Sequence, residues 1–136
     1  MRRFIELIYR MVPPGQMTIV LVGVILYLTL APDPLGAEDI PAFPGADKVV
    51  HAIMFGTLSL IIALDRFMIG RNDKAIVLII IAVMVSIAGG IIEILQQASA
   101  IGRSGDIWDF AADTAGAFLG VWAFTWVRKD LHRSRA

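Results

Sequence analysis

Histidine, glutamate and aspartate are the side chains that trade protons or hold hard cations near neutral pH. In this chain of 136 residues they gather at the ends of apolar runs. Asp47, Lys48 and His51 open one run, and the i, i+4 spacing sets Asp47 and His51 on one helix face. A carboxylate beside His51 would orient its ring for general acid or base work; the alternative is a structural hydrogen bond between helices. Glu93 closes another run and is followed by Gln96 and Gln97. A carboxylate next to hydrocarbon has to face the bundle and find partners there, so Glu93 is expected to point inward. The preceding Gly89-Gly90, and Ala82, Ser86 and Gly90 at four-residue spacing, offer a surface for close helix approach.

The densest stretch is 102–116. If a helix starts near Asp106, then Asp106, Asp109, Asp113, Gly116 and Gly120 share one face. Carboxylates in a first turn suit the helix dipole, which accounts for Asp106 and Asp109 but not for Asp113 two turns in. Arg103 either neutralises this cluster or presents its planar fork to an anionic group. The set would suit a hard divalent cation such as Mg²⁺ better than zinc, yet no paired-histidine spacing calls for a metal and none is assigned. Ser99 and Ser104 lack the Gly-x-Ser-x-Gly turn of a serine nucleophile. His132 lies in a basic tail and reads as solvated.

The elements that position these residues are membrane helices. The chain is 57% hydrophobic and only 18% charged, with mean hydropathy +0.74, against about 45–50% apolar and about 25% charged for soluble domains. Apolar runs cover 17–31, 49–64, 75–92 and 110–127, and with their flanks they predict spans over 17–31, 49–64, 75–95 and 108–127. The fold class is therefore all-α, a polytopic four-helix bundle forming one domain. An amphipathic segment, 1–16, lies along the membrane surface before Pro13-Pro14-Gly15 turns the chain inward, and 128–136 is a basic tail. A cleaved signal peptide over the first 31 residues is the weaker reading, since it would leave three helices. A β-barrel is excluded by the lack of period-2 alternation. Cysteine is absent, which removes disulfides, thiol nucleophiles and Cys-ligated metals.

Lys and Arg set the orientation. Arg2, Arg3, Arg10, Arg66, Arg71, Lys74, Arg128, Lys129, Arg133 and Arg135 fall on one side, and only Lys48 and Arg103 on the other. The positive-inside rule places both termini in the cytoplasm and the acidic segments outside. Trp122 and Trp126 near the inner end read as interfacial anchors. Zero formal net charge gives no basic surface for nucleic acid.

Taken in order, Asp47-Lys48-x-x-His51-x-x-x-Phe55-Gly56, then Glu93-x-x-Gln96, then Arg103-x-x-Asp106-x-x-Asp109-x-x-x-Asp113-x-x-Gly116 resembles the VanZ-like family, whose name comes from a teicoplanin-resistance protein. The resemblance covers roughly Asp47 to Gly120. In that pattern an asparagine commonly stands where this chain carries Asp113. The resemblance implies a small polytopic protein of the bacterial cell envelope, in the cytoplasmic (inner) membrane. The candidate site is then His51, Glu93 and Asp109 for acid–base chemistry, with Asp47, Lys48, Gln96, Arg103, Asp106 and Asp113 holding a lipid-linked or cell-wall component. The other reading of the same residues is an interhelical network in a non-catalytic scaffold that binds another membrane protein. Membrane lipids are the expected surroundings, and the Gly116/Gly120 face can pack within one chain or between two copies. A proton pathway is disfavoured, because the inner halves of the second and third runs carry no polar relay.

Overall fold

A computed structural model describes residues 2–32, 43–98 and 105–133. They form five helices, α1 (Arg2–Met11), α2 (Gln16–Leu30), α3 (Ala46–Met68), α4 (Ala75–Ala98) and α5 (Ile107–Arg133). Among the described residues there is no strand. Three helices, α3, α4 and α5, are long and apolar enough to cross a membrane, or up to four spans if α1 and α2 are counted as one bent pair.

α1 is amphipathic in a way that suits a surface. Ile5 and Tyr9, one turn apart, pack on the core, while Phe4, Leu7 and Met11 stay exposed. The break to α2 bends the axis by 83°. Gly15 makes it at φ 92°, a left-handed conformation that a side chain disfavours. α2 has 15 residues, about 22 Å at 1.5 Å per residue, which is short of the roughly 30 Å hydrocarbon core. The 17–31 run therefore falls below spanning length unless the bend carries part of the crossing.

α4 shows how a helix apolar on all sides sorts its residues. Leu78, Ile81, Ala82, Val85, Gly89 and Ile92 recur at three- and four-residue spacing and are buried. Ile76, Ile79, Ile80, Val83, Met84, Ile87 and Ile91 remain exposed, a surface fit for lipid. In lipid, helices are held by packing and hydrogen bonds rather than by removal of apolar surface from water, so close backbone approach matters. α3 and α5 approach most closely. A Cβ on Gly116 would strike the Ala52 carbonyl, and one on Gly120 would strike the Gly56 carbonyl and the Ser59 hydroxyl. Ser59 Oγ donates across this seam to the Ala117 carbonyl at 2.7 Å. The Gly116/Gly120 face is thus occupied within the chain.

At the basic end, Arg66 forks onto Asp73 and Arg128 Nη1 donates to the Asp73 carbonyl at 2.8 Å. These bonds tie the α3–α4 turn to α5. The Arg66 guanidinium holds the Asp73 carboxyl below its ordinary value. Deeper at the same end Asp65 is buried. It accepts from Tyr9 Oη at 2.8 Å and Thr18 Oγ1 at 2.6 Å, which fastens α1 and α2 to α3. Trp122 and Trp126 are exposed nearby, edge to face at 5.7 Å, with Lys129 Nζ 5.5 Å from the Trp126 ring centre. Asp47, Lys48, His51, Glu93, Gln96, Asp106, Asp109 and Asp113 lie at the opposite, acidic end.

Candidate functional site

Three helix ends meet at the acidic end: the first turns of α3 and α5 and the last turns of α4. Asp106 caps α5, its Oδ1 accepting from the Trp108 N–H at 2.9 Å. Its own N–H donates to Glu93 Oε2 at 2.7 Å, which joins the start of α5 to α4. Gly105 allows that contact, since a Cβ there would strike the Glu93 carbonyl.

Lys48 gathers the more exposed carboxylates. Its ammonium lies 2.8 Å from Asp47 Oδ2, 2.8 Å from Asp106 Oδ2 and 3.0 Å from Asp109 Oδ1. The hydrogen bond from Lys48, and then the cap bond from the Trp108 N–H, hold the Asp106 carboxyl below its ordinary value.

His51 lies one turn deeper. Its Nδ1–H donates to Asp113 Oδ1 at 2.9 Å, and Asp113 is 0% exposed. The carboxylate that orients the ring is therefore Asp113 of α5; Asp47, the partner suggested by helical spacing, turns to Lys48. Phe55 stacks near the imidazole, ring centres 6.3 Å apart and planes 12° from parallel. Glu93 Oε1 is 3.9 Å from His51 Nδ1, beyond hydrogen-bond reach. Glu93 is only 7% exposed, and Oε1 is buried with no hydrogen-bond partner. Asp113 Oδ2 is also buried without one. It sits over Gly89, where a Cβ would come within 2.6 Å of it.

The structure brings Asp47, Lys48, His51, Glu93, Asp106, Asp109 and Asp113 to one place. Gln96 is buried at the same end, and its Nε2 donates to the Thr29 carbonyl of α2 at 2.8 Å. Arg103, Ser99 and Ser104 lie outside the described residues, as does the His132 side chain. Sequence reasoning missed Thr29 as the acceptor for Gln96, and it named the Gly89-Gly90 pair without placing Gly89 beneath Asp113. Neither could be found without helix rotations. It also left the Lys48 partners open, although one lysine among aspartates is a legible signal for ion pairing.

Beside the cluster a cavity of about 390 Å³ is lined by Gly90, Glu93, Ile94, Gln97, Gly105, Asp106, Ile107 and Phe110. Ile94 and Ile107 are largely exposed, so its rim is apolar while Glu93 and Asp106 supply carboxylates. Such a wall suits an amphiphile, with a polar group against the carboxylates and a chain along the isoleucines. The His51–Asp113 pair beside Glu93 can hold a proton or a cation.

The VanZ/LLP1 family model matches residues 11–128, and the chain belongs to that family. No curated protein and no solved structure matches it.

Proposed function

We propose that this VanZ/LLP1 family member is a bacterial cytoplasmic-membrane protein whose outward-facing acidic end binds an amphiphilic component of the cell envelope, of the lipid-linked precursor class. In this reading the bent α1–α2 pair and the three long helices make four crossings, with both termini in the cytoplasm. The asymmetry of Lys and Arg supports that orientation. The observation that carries the function is Glu93, which lines the apolar-rimmed cavity and keeps a buried carboxylate oxygen with no donor. An unsatisfied buried acceptor costs about 1–3 kcal/mol, and such a cost is met at ligand sites. If the bound component is also modified, His51 and Glu93 are the acid and base, with Asp109 beside them. Asp113 is a positioning residue in that scheme.

The scaffold reading has one observation in its favour: Lys48 finds three carboxylates within the chain, as a structural brace would. Native mass spectrometry of full-length protein purified from membranes separates the two. Binding predicts a retained amphiphile that is lost when Ile94→Trp fills the cavity rim. A brace predicts that neither protein retains one. A link to teicoplanin tolerance, which the family resemblance implies, is read from growth of an expressing host on the drug with wild type and with Glu93→Gln.

A further inference from the structure

The acidic end contains two overlapping triads. Carboxylate oxygens of Asp47, Asp106 and Asp109 lie within 4.8 Å of one another, and so do oxygens of Glu93 and Asp109 with a ring nitrogen of His51. The first triad has a cation of its own, since the Lys48 ammonium bonds to all three of its members at 2.8–3.0 Å. In the second, Lys48 reaches Asp109, but among the described residues no lysine or arginine pairs with His51 or Glu93. Its histidine directs Nδ1–H to Asp113, and its glutamate keeps Oε1 buried and without a hydrogen-bond partner. Two carboxylates and an imidazole converging from three helices, with one oxygen unmatched, form an arrangement that a cation completes.

We propose that His51, Glu93 and Asp109 bind one divalent cation. The inference rests on the reading of the acidic end as a binding site. The donors come from α3, α4 and α5, so the ion would also join the three long helices. Because Nδ1 is bonded to Asp113, the ion would take Nε2, and Asp113 would act behind His51 as the carboxylate that fixes the ring, as outer partners of metal-bound histidines do. Asp109 Oδ1 accepts from Lys48 Nζ at 3.0 Å, and the carboxylate has a second oxygen to offer. A mixed nitrogen and oxygen set with no thiolate suits Mn²⁺ and Mg²⁺. The ion also resolves an electrostatic mismatch. Among the described residues the cluster sets the carboxylates of Asp47, Glu93, Asp106, Asp109 and Asp113 against the one ammonium of Lys48. An anionic headgroup is repelled by that excess unless a cation bridges the two.

The test uses full-length protein in detergent, stripped with EDTA and titrated with Mn²⁺ alone. Electron paramagnetic resonance counts bound ions, and the electron spin echo detects imidazole ¹⁴N next to manganese. The expected result is one Mn²⁺ per chain, displaced by Mg²⁺, with ¹⁴N modulation in wild type that disappears in His51→Ala. Glu93→Gln keeps the acceptor for the Asp106 N–H and is expected to weaken binding by about tenfold or more. The wild-type modulation needs no variant, so a misfolded mutant cannot mask the answer. No retained Mn²⁺ overturns the inference. Bound Mn²⁺ without ¹⁴N modulation also overturns it, because the ion then sits on carboxylates alone. Amphiphile retention is measured on the same stripped and loaded samples. Retention with no Mn²⁺ binding removes the cation and leaves the amphiphile reading; modulated Mn²⁺ with no amphiphile in either sample does the reverse.

Discussion

Asp113 is where the chain departs from the asparagine common in the resembling pattern, and the His51 bond explains how either residue can serve. The ring donates through Nδ1–H to Oδ1 at 2.9 Å, and an asparagine carbonyl would accept the same bond. Asp113→Asn is therefore expected to change unfolding stability in detergent by no more than about 1 kcal/mol. Asp113→Ala removes the acceptor from a fully buried site and leaves a void, at a cost of about 2–4 kcal/mol. Equal melting of the two variants would show that the bond holds nothing. Asp106 gives a pH signature with a definite sign. Its carboxyl is depressed in the fold by Lys48 and the Trp108 N–H, so the stabilisation is complete above the unfolded value, about 3.9, and fades as pH falls through the lower folded value. The stability gap between wild type and Asp106→Asn is expected to be constant from pH 7 to about 5 and to close below about 4; a gap that widens in acid would contradict this. The membership of this cluster was largely legible in the chain, because charges beside hydrocarbon have few places to go. Its pairing was not. Helical spacing joined His51 to Asp47, whereas the contact that forms crosses 62 positions to Asp113.

At the scale of elements, glycine has opposite meanings in two helices. Gly120 of α5 lies against the Gly56 carbonyl and the Ser59 hydroxyl, whereas Gly23 of α2 has nothing within 4 Å of a built Cβ. Gly120→Ala has to push α5 from α3 and is expected to destabilise by about 1–3 kcal/mol. Gly23→Ala meets open space and is expected to be neutral, or to stabilise α2 by up to about 1 kcal/mol. Thermal melts of both variants check the contrast, and similar losses would mean that α3 and α5 are not in close contact. Sequence periodicity exposed the small face of α5 but could not say what packs on it. The chain's own α3 does. At the basic end the latch of Tyr9 and Thr18 on Asp65 was invisible for a related reason. Its three members lie on three helices, and no spacing rule connects them.

For the whole molecule, segregation of charge along the bundle is the organising feature. Arg66, Asp73, Arg128 and Lys129 cluster at one end, and Asp47, Lys48, Glu93, Asp106 and Asp109 at the other. Absence of cysteine makes the proposed orientation directly testable by single-cysteine labelling. Phe43→Cys is expected to react with an impermeant maleimide in intact cells. Asn72→Cys, Arg3→Cys and Lys129→Cys are expected to react only after permeabilisation. Labelling of Arg3→Cys without Lys129→Cys in intact cells would mean that the bent pair does not complete a crossing. Composition was enough to identify a helical membrane protein, but α2 shows its limit. An apolar run of near-spanning length formed a 15-residue helix behind an 83° bend, because prolines and a left-handed glycine interrupt the path into the membrane.

In the proposed reading the acidic end is arranged for a ligand at some expense to the fold. Comparing the unfolding of Glu93→Gln with that of wild type, alongside amphiphile retention by each, tests it most directly. The substitution preserves the bond from the Asp106 N–H and removes a buried charge whose Oε1 no donor reaches. Ligand binding at Glu93 predicts a variant that melts at or above wild type and retains no amphiphile. A variant that melts more than about 2 kcal/mol below wild type, with no amphiphile found on either protein, would contradict it and make the cluster a structural brace.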